Sequence, residues 1–142
     1  MYFPRRSPDV YIDDTGTAKG RGVFAARDFA AGEIVEVCPV IIVKAGHKEV
    51  REALDIYVFD WGYLAVTTPC SAIALGYGTM YNHGNPANLT YKADKSAAVI
   101  VYRTVEPVMA KTEFTVNYKT LGGAPIGNDN DWFKDRGIAE LP

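Results

Sequence analysis

The chain has 142 residues, of which 48% are hydrophobic, and carries a net charge of −2 from 15 basic and 17 acidic side chains. That length suits one domain, spanning residues 1–142, which can bury a core without disulfide or metal. The apolar fraction excludes a disordered chain, and the mixed charge leaves no electrostatic footprint for nucleic acid. Cys38 and Cys70 form no CxxC pair, so no zinc site is readable and two buried free thiols are expected. The N-terminal MYFPRRSPDV lacks the apolar centre of a signal peptide, and no apolar run reaches the length of a membrane span. The expectation is a soluble intracellular protein of cytoplasm or nucleus with no membrane partner; oligomeric state is not legible.

In chain order, Val10-Tyr11-Ile12 reads as a short strand and Asp13 to Gly22 as a loop, with Gly16, Gly20 and Gly22 supplying tight turns. Gly22 to Ala26 reads as strand, and Asp28 to Glu33 as a turn around Gly32. Ile34 to Cys38 and Val40 to Val43 are rich in β-branched residues and read as two strands. Pro39 interrupts them, which predicts an edge or a bend. His47 to Leu54 has the best helical composition. Ile56 to Phe59 returns to strand, and Asp60 to Pro69 is a mixed segment around Gly62. Leu89 to Tyr91 and Ala97 to Tyr102 form the arms of a hairpin turning at Asp94-Lys95-Ser96. Phe114 to Tyr118 is a strand, Gly122 to Asn130 a loop, and Asp131 to Ile138 a helical turn with Asp131 as N-cap. The sum is mostly β in short strands, with no βαβ rhythm, which excludes a doubly wound nucleotide fold. Val23 to Val37 faintly echoes Ile100 to Val116, too divergently for a repeat.

Few residues carry chemistry. Gly20-Arg21-Gly22 lets backbone approach a ligand, but on its own an ordinary tight turn is the preferred reading, and no Walker or dinucleotide fingerprint extends it. Asn82-His83 lies among Gly76, Gly78, Gly84 and Pro86, a composition suited to an irregular, site-forming stretch. His47 is the only other histidine, too few for a metal set, and Ser71 has no nucleophile elbow. Nine tyrosines leave two readings open: half-buried β surface, or an aromatic channel around an amine or methylammonium. Trp132-Phe133 reads as a terminal anchor on the core.

Three segments together resemble a known family. KGRGVFAARDFAAGEIVEV (Lys19 to Val37), ALGYGTMYNHG (from Ala74) and EFTVNY (Glu113 to Tyr118) are similar, in order and spacing, to the opening, Asn-His and closing motifs of SET-domain protein-lysine methyltransferases. The likeness is nearest to compact bacterial and viral members without zinc-binding flanks. It implies a mostly β fold, the β-clip of short sheets, with a C-terminal pseudoknot that brings Asn82-His83 to Tyr118. It also implies methyl transfer from S-adenosylmethionine, without metal, to a lysine ε-amine of a protein or peptide such as a histone tail. Cofactor and lysine would enter from opposite faces of a narrow channel. A non-catalytic SET-like module that binds a peptide is the alternative.

The resemblance implies the following roles. Gly20, Arg21 and Gly22 match the segment whose backbone contacts the cofactor. Asn82 and His83 match the pair that holds its amino-acid and adenine portions, and Trp132 an aromatic that covers adenine. Tyr118 matches the catalytic tyrosine. Tyr57, Tyr91 and Val116 match positions lining the lysine channel, the last two also influencing how many methyls are added. Three departures stand out. Gly84 replaces the usual serine and removes a hydroxyl. Ala87-Asn88 stands for Pro-Asn, with the proline at Pro86. Lys111 replaces a turn glycine, at a cost on the order of 1 kcal/mol if the backbone there is left-handed.

Overall fold

A computed structural model describes residues 8–44, 53–65, 68–120 and 122–141. Within them lie nine strands: β1 (Val10–Asp14), β2 (Arg21–Ala25), β3 (Ile34–Lys44), β4 (Val58–Ala65), β5 (Thr68–Ala74), β6 (Asn82–His83), β7 (Leu89–Asp94), β8 (Val99–Thr104) and β9 (Glu113–Val116). A 3₁₀ turn covers Asp55–Tyr57, and a short helix, α1, covers Trp132–Arg136. One sheet has the order β1-β2-β9-β6 and the other β4-β5-β3-β8-β7. This is a mostly β fold with few short helices, as expected of a β-clip. The expected helix at His47 to Leu54 lies mainly outside the described residues.

The β-branched run around Pro39 forms one strand rather than two. Ile34 to Pro39 pair with β8, and Val40 to Lys44 pair with β5. Pro39 lies where β3 passes from one partner to the other, where a missing N–H is tolerated, and its carbonyl accepts the N–H of Leu75 at 2.9 Å. The segment from Asp60 to Pro69 is likewise more regular than its composition suggests. β4 and β5 pair through it, with a register shift at Gly62 (φ +76°) absorbing the irregularity. The strand expected at Ile56 begins only at Val58, after the 3₁₀ turn, and the last strand ends at Val116, two residues short of Tyr118.

β8 is almost wholly buried, with Val99, Ile100, Val101 and Tyr102 all inside, because partners and packing cover both its faces. β9 alternates instead, turning Phe114 and Val116 inward. The faint internal echo has a structural counterpart. β2 pairs with β9 and β3 with β8, while Phe29 and Val108 exchange N–H···O bonds of 2.7 and 2.9 Å. Around them the Gly32 N–H donates to the Thr104 carbonyl at 2.9 Å, and the Lys111 N–H to the Ala25 carbonyl at 2.7 Å. Gly32 and Lys111 occupy matching turns, with φ of +80° and +72°.

Candidate active site

The site is built on the contact between β6 and β9. These pair in parallel, Asn82 opposite Thr115 and His83 opposite Val116. Parallel neighbours need a long connection, and here the intervening chain supplies the β7–β8 hairpin. Asn88 fastens the arrangement, because its side chain behaves as a strand edge: Nδ2 donates to the Glu113 carbonyl at 2.9 Å and Oδ1 accepts the Thr115 N–H at 2.8 Å.

On one side of this contact Asn82 Nδ2 donates to the Arg21 carbonyl at 2.9 Å and to Glu113 Oε2 at 2.8 Å. A Cβ on Gly22 would collide with that same carboxylate, so a side chain there would push Glu113 away from Asn82. Gly20 closes the preceding turn at φ +75°, its carbonyl accepting both the Thr15 N–H and hydroxyl, and a Cβ there would meet open space. Lys19 reaches across to donate to the His83 carbonyl at 2.9 Å. The opening motif and the Asn-His pair are thus contiguous.

His83 is 5% exposed, and both its ring nitrogens are engaged. Nδ1 accepts the backbone N–H of Tyr118 at 3.1 Å, and Nε2 lies 2.9 Å from Glu140 Oε2. An accepting Nδ1 requires the proton on Nε2, so the ring is neutral and donates to the carboxylate. Burial lowers the histidine's pKa, and the Glu140 hydrogen bond opposes that only in part. Glu140 also pairs with Lys119 at 3.0 Å, and its own pKa is lowered by the hydrogen bond to His83 and then by Lys119. Phe133 meets the His83 ring edge-on at 4.7 Å.

On the other side lies a cavity of about 630 Å³. Tyr57, Tyr91, Val116, Tyr118 and Trp132 all line it. Tyr118 therefore joins the two halves: its backbone binds His83 while its side chain borders the cavity. Its hydroxyl donates to the Tyr81 carbonyl at 2.6 Å. Burial, followed by the charge of Glu113, pushes its pKa up to about 12. The phenol therefore keeps its proton near neutral pH and is not available as a base. Fully buried Asn117 fixes the turn that carries it, donating to the Gly127 carbonyl at 3.1 Å and accepting the Lys119 N–H at 2.8 Å. Tyr91 packs edge-on against Phe59 at 5.3 Å, and burial raises its pKa.

Beneath the site the buried Tyr81 hydroxyl donates to Glu36 Oε1 at 2.7 Å, and Glu36 Oε2 accepts the Tyr77 N–H at 2.9 Å. Gly76 and Gly78 are required here, since side chains at these positions would collide with Glu36 and with Ala74. Both cysteines are free and buried. Trp132 packs against Tyr118 at 4.8 Å between ring centres, the two rings tilted by 57°. The expected Asp131 cap is not made; Asn130 Oδ1 accepts the Trp132 N–H instead, at 3.0 Å.

Gly84 differs from expectation in an informative way. A Cβ there would sit 2.7 Å from Thr115 Oγ1 and 2.9 Å from Thr115 Cβ. The space a serine would fill is occupied by a hydroxyl from β9, and that hydroxyl accepts the Asn88 N–H at 3.3 Å. Lys19, Glu140, Phe133, Asn88 and Thr115 were not singled out as site residues from sequence. Lys19 beside Gly20-Arg21-Gly22, Asn88 in the Ala87-Asn88 pair and Phe133 in the terminal aromatic pair carry local signals; Glu140 and Thr115 carry none. Among the described residues no group of three or more His, Cys, Asp or Glu is placed to hold a metal ion, and no helix is long and apolar enough to cross a membrane.

Residues 20–119 match the SET domain family. A histone-lysine N-methyltransferase of Schizosaccharomyces pombe, described as H3 lysine-37 specific, is 30% identical over 133 residues, covering 92% of this chain and 80% of the yeast protein. Among solved structures, a Plasmodium falciparum protein crystallised as a candidate histone methyltransferase superposes with a TM-score of 0.61 at 24% identity, over 78% of this chain and 97% of that one. A humanized mutant of Chaetomium thermophilum Polycomb Repressive Complex 2 superposes with a TM-score of 0.64 at 19% identity, over 80% of this chain but 15% of the larger one. At such identities the two structures speak to the fold. All three relatives are eukaryotic, so the expected bacterial or viral type finds no support.

Proposed function

The chain belongs to the SET-domain family of protein-lysine methyltransferases, and on that premise we propose that it methylates a lysine in a histone tail or histone-like protein. The observation that carries the reading is the position of Tyr118, bonded through its backbone to His83 and bordering the cavity with its ring. The substrate class follows the yeast relative, whose described activity is on histone H3.

The residues around β2 and β6 fit S-adenosylmethionine. Gly20 and Arg21 present exposed backbone with open space above Gly20, and Lys19 places a cation beside them. Gly20, Arg21, Gly22 and Asn82 would hold its amino-acid portion; His83, with Phe133 against its ring, would hold adenine, whereas Trp132, the aromatic expected over adenine, lies in the cavity against Tyr118. When bound, the cofactor supplies an electrophilic methyl on a sulfonium.

The chain's own residues prepare the amine. A lysine free in water has a pKa of about 10.4 and is almost wholly charged at neutral pH. The aromatic walls of Tyr57, Tyr91 and Tyr118 desolvate the ammonium, which favours the neutral, nucleophilic form. Tyr118, kept protonated and held by the Tyr81 carbonyl, orients the nitrogen lone pair along the channel. No side chain has to act as a strong base, because the proton leaves to solvent. Most of the rate then comes from positioning. Tyr91, whose hydroxyl can bind the amine or a water, limits rotation of a methylated amine, while the smaller Val116 leaves some room. Mono- and dimethyl-lysine accumulate before trimethyl-lysine.

Two measurements test this reading. Calorimetric titration with S-adenosylmethionine in the absence of metal should show saturable binding. Mass spectrometry of an H3 tail peptide incubated with both should show stepwise gain of methyl groups on lysine. Folded protein that gives a flat titration and no methylated peptide would refute the proposal.

A further inference from the structure

α1 has only five residues, Trp132–Arg136, too few for a helix to persist without tertiary support. It nevertheless carries Trp132, which braces Tyr118. Arg136 supplies a link back to the body of the domain. Its guanidinium lies 4.5 Å above the Trp132 ring, and its NH1 donates to the Trp132 carbonyl at 3.1 Å. Its Nε stands 2.7 Å from Oδ2 of Asp55, at the start of the 3₁₀ turn that leads into β4, a charge contact without hydrogen-bond geometry at the buried Nε. Asp55, Tyr57, Tyr118, Trp132 and Arg136 all line the same cavity. The ion pair therefore joins the C-terminal segment to the 3₁₀ turn beside the cavity.

We infer that the Asp55–Arg136 pair is a clasp that holds α1 against this cavity, making Asp55 and Arg136 positioning residues for methyl transfer. The inference rests on the reading of Tyr118 as the group that orients the lysine. Arg136 is suited to the task because a planar guanidinium can stack on an indole and meet a carboxylate at once. With the clasp open, Trp132 loses its upper contact, and Tyr118 loses the ring that restricts it. The amine is then aligned less often, which lowers kcat rather than raising KM.

Kinetics on a lysine peptide, with Tm measured alongside, test the clasp. Asp55→Asn and Arg136→Gln should each reduce kcat by about fivefold, the scale of a single exposed ion pair, with Tm nearly unchanged. The double variant should be no slower than Arg136→Gln alone, since both single changes break one link. Asp55→Glu should restore most of the rate. Unchanged kcat in both single variants, or losses that multiply in the double, would overturn the inference. A readout independent of catalysis is acrylamide quenching of tryptophan fluorescence in cofactor-free protein. Trp61 is 3% exposed and hardly quenched, so the signal follows Trp132. Quenching should rise in both single variants; unchanged quenching overturns the clasp whether or not the protein methylates the peptide. If the wild-type protein transfers no methyl yet quenching responds, the clasp of α1 stands and the proposed function fails.

Discussion

The backbone N–H of Tyr118 donates to Nδ1 of His83 at 3.1 Å, so the closing motif reads the state of the Asn-His motif directly. Residues 35 positions apart are locked by one bond that exists only while the imidazole is neutral. This relationship has a pH consequence. His83 in the fold has a pKa below its ordinary value because of burial, whereas in the unfolded chain a histidine titrates near 6.5. The unfolded chain therefore takes up the proton first as pH falls. The stability contributed by neutral His83 is complete above about pH 6.5, is lost as pH drops through the interval down to the lowered folded value, and changes no further below it. NMR titration of the ring protons, assigned with His83→Asn, should give a midpoint below 6.5. A midpoint at or above 6.5 would contradict the bonded neutral ring.

Tyr118→Phe removes the hydroxyl that donates to the Tyr81 carbonyl while keeping the ring against Trp132 and the backbone bond to His83. Methyl transfer should fall by about a hundredfold, the scale of a misaligned reacting group. Affinity for S-adenosylmethionine should stay within about twofold, because Tyr118 borders the cavity proposed for the lysine. Single-turnover kinetics and calorimetry separate the two effects. Wild-type turnover in the variant would remove Tyr118 from the role proposed for it.

Gly84→Ser should be destabilising even though it restores the residue more usual in the family. The new side chain meets Thr115 Oγ1 and Cβ, an overpacking that costs about 1–3 kcal/mol. Thr115→Ala in the same chain should recover most of the loss, since it vacates that space. Chemical denaturation of both variants measures this. If Gly84→Ser alone is neutral, the two positions do not exchange their hydroxyls.

Lys111→Gly should stabilise the protein. Lys111 has a φ of +72°, left-handed backbone that costs a non-glycine residue about 1–2 kcal/mol. The greater freedom of glycine in the unfolded chain offsets part of the gain. A net increase of about 0.5–1 kcal/mol, or a few degrees in Tm, is expected. Lys111 is exposed, so no packing is lost. A fall in Tm would show that the lysine side chain stabilises the turn.

Strands with a local signature and motifs of unusual residue types are legible in the amino-acid order alone. Val10 to Ile12, the β7–β8 hairpin and the strand of the closing motif are legible because β-branched and aromatic residues bounded by turn residues leave few alternatives. Gly20-Arg21-Gly22, Asn82-His83 and Tyr118 stood out through family likeness. Features that depend on distant partners emerge only once the chain is folded. Pro39 interrupts a strand by propensity, yet β3 runs through it because two neighbours divide its ladder. Thr115 carries no local sign of its role, and Asn88, though marked by the Ala87-Asn88 pair, gains its contacts only from β9 lying alongside. Glu140 and Phe133 meet His83 only because the chain after β9 folds back across β6. Such contacts depend on chain path and shape, whereas local composition records only what each residue prefers among its sequence neighbours.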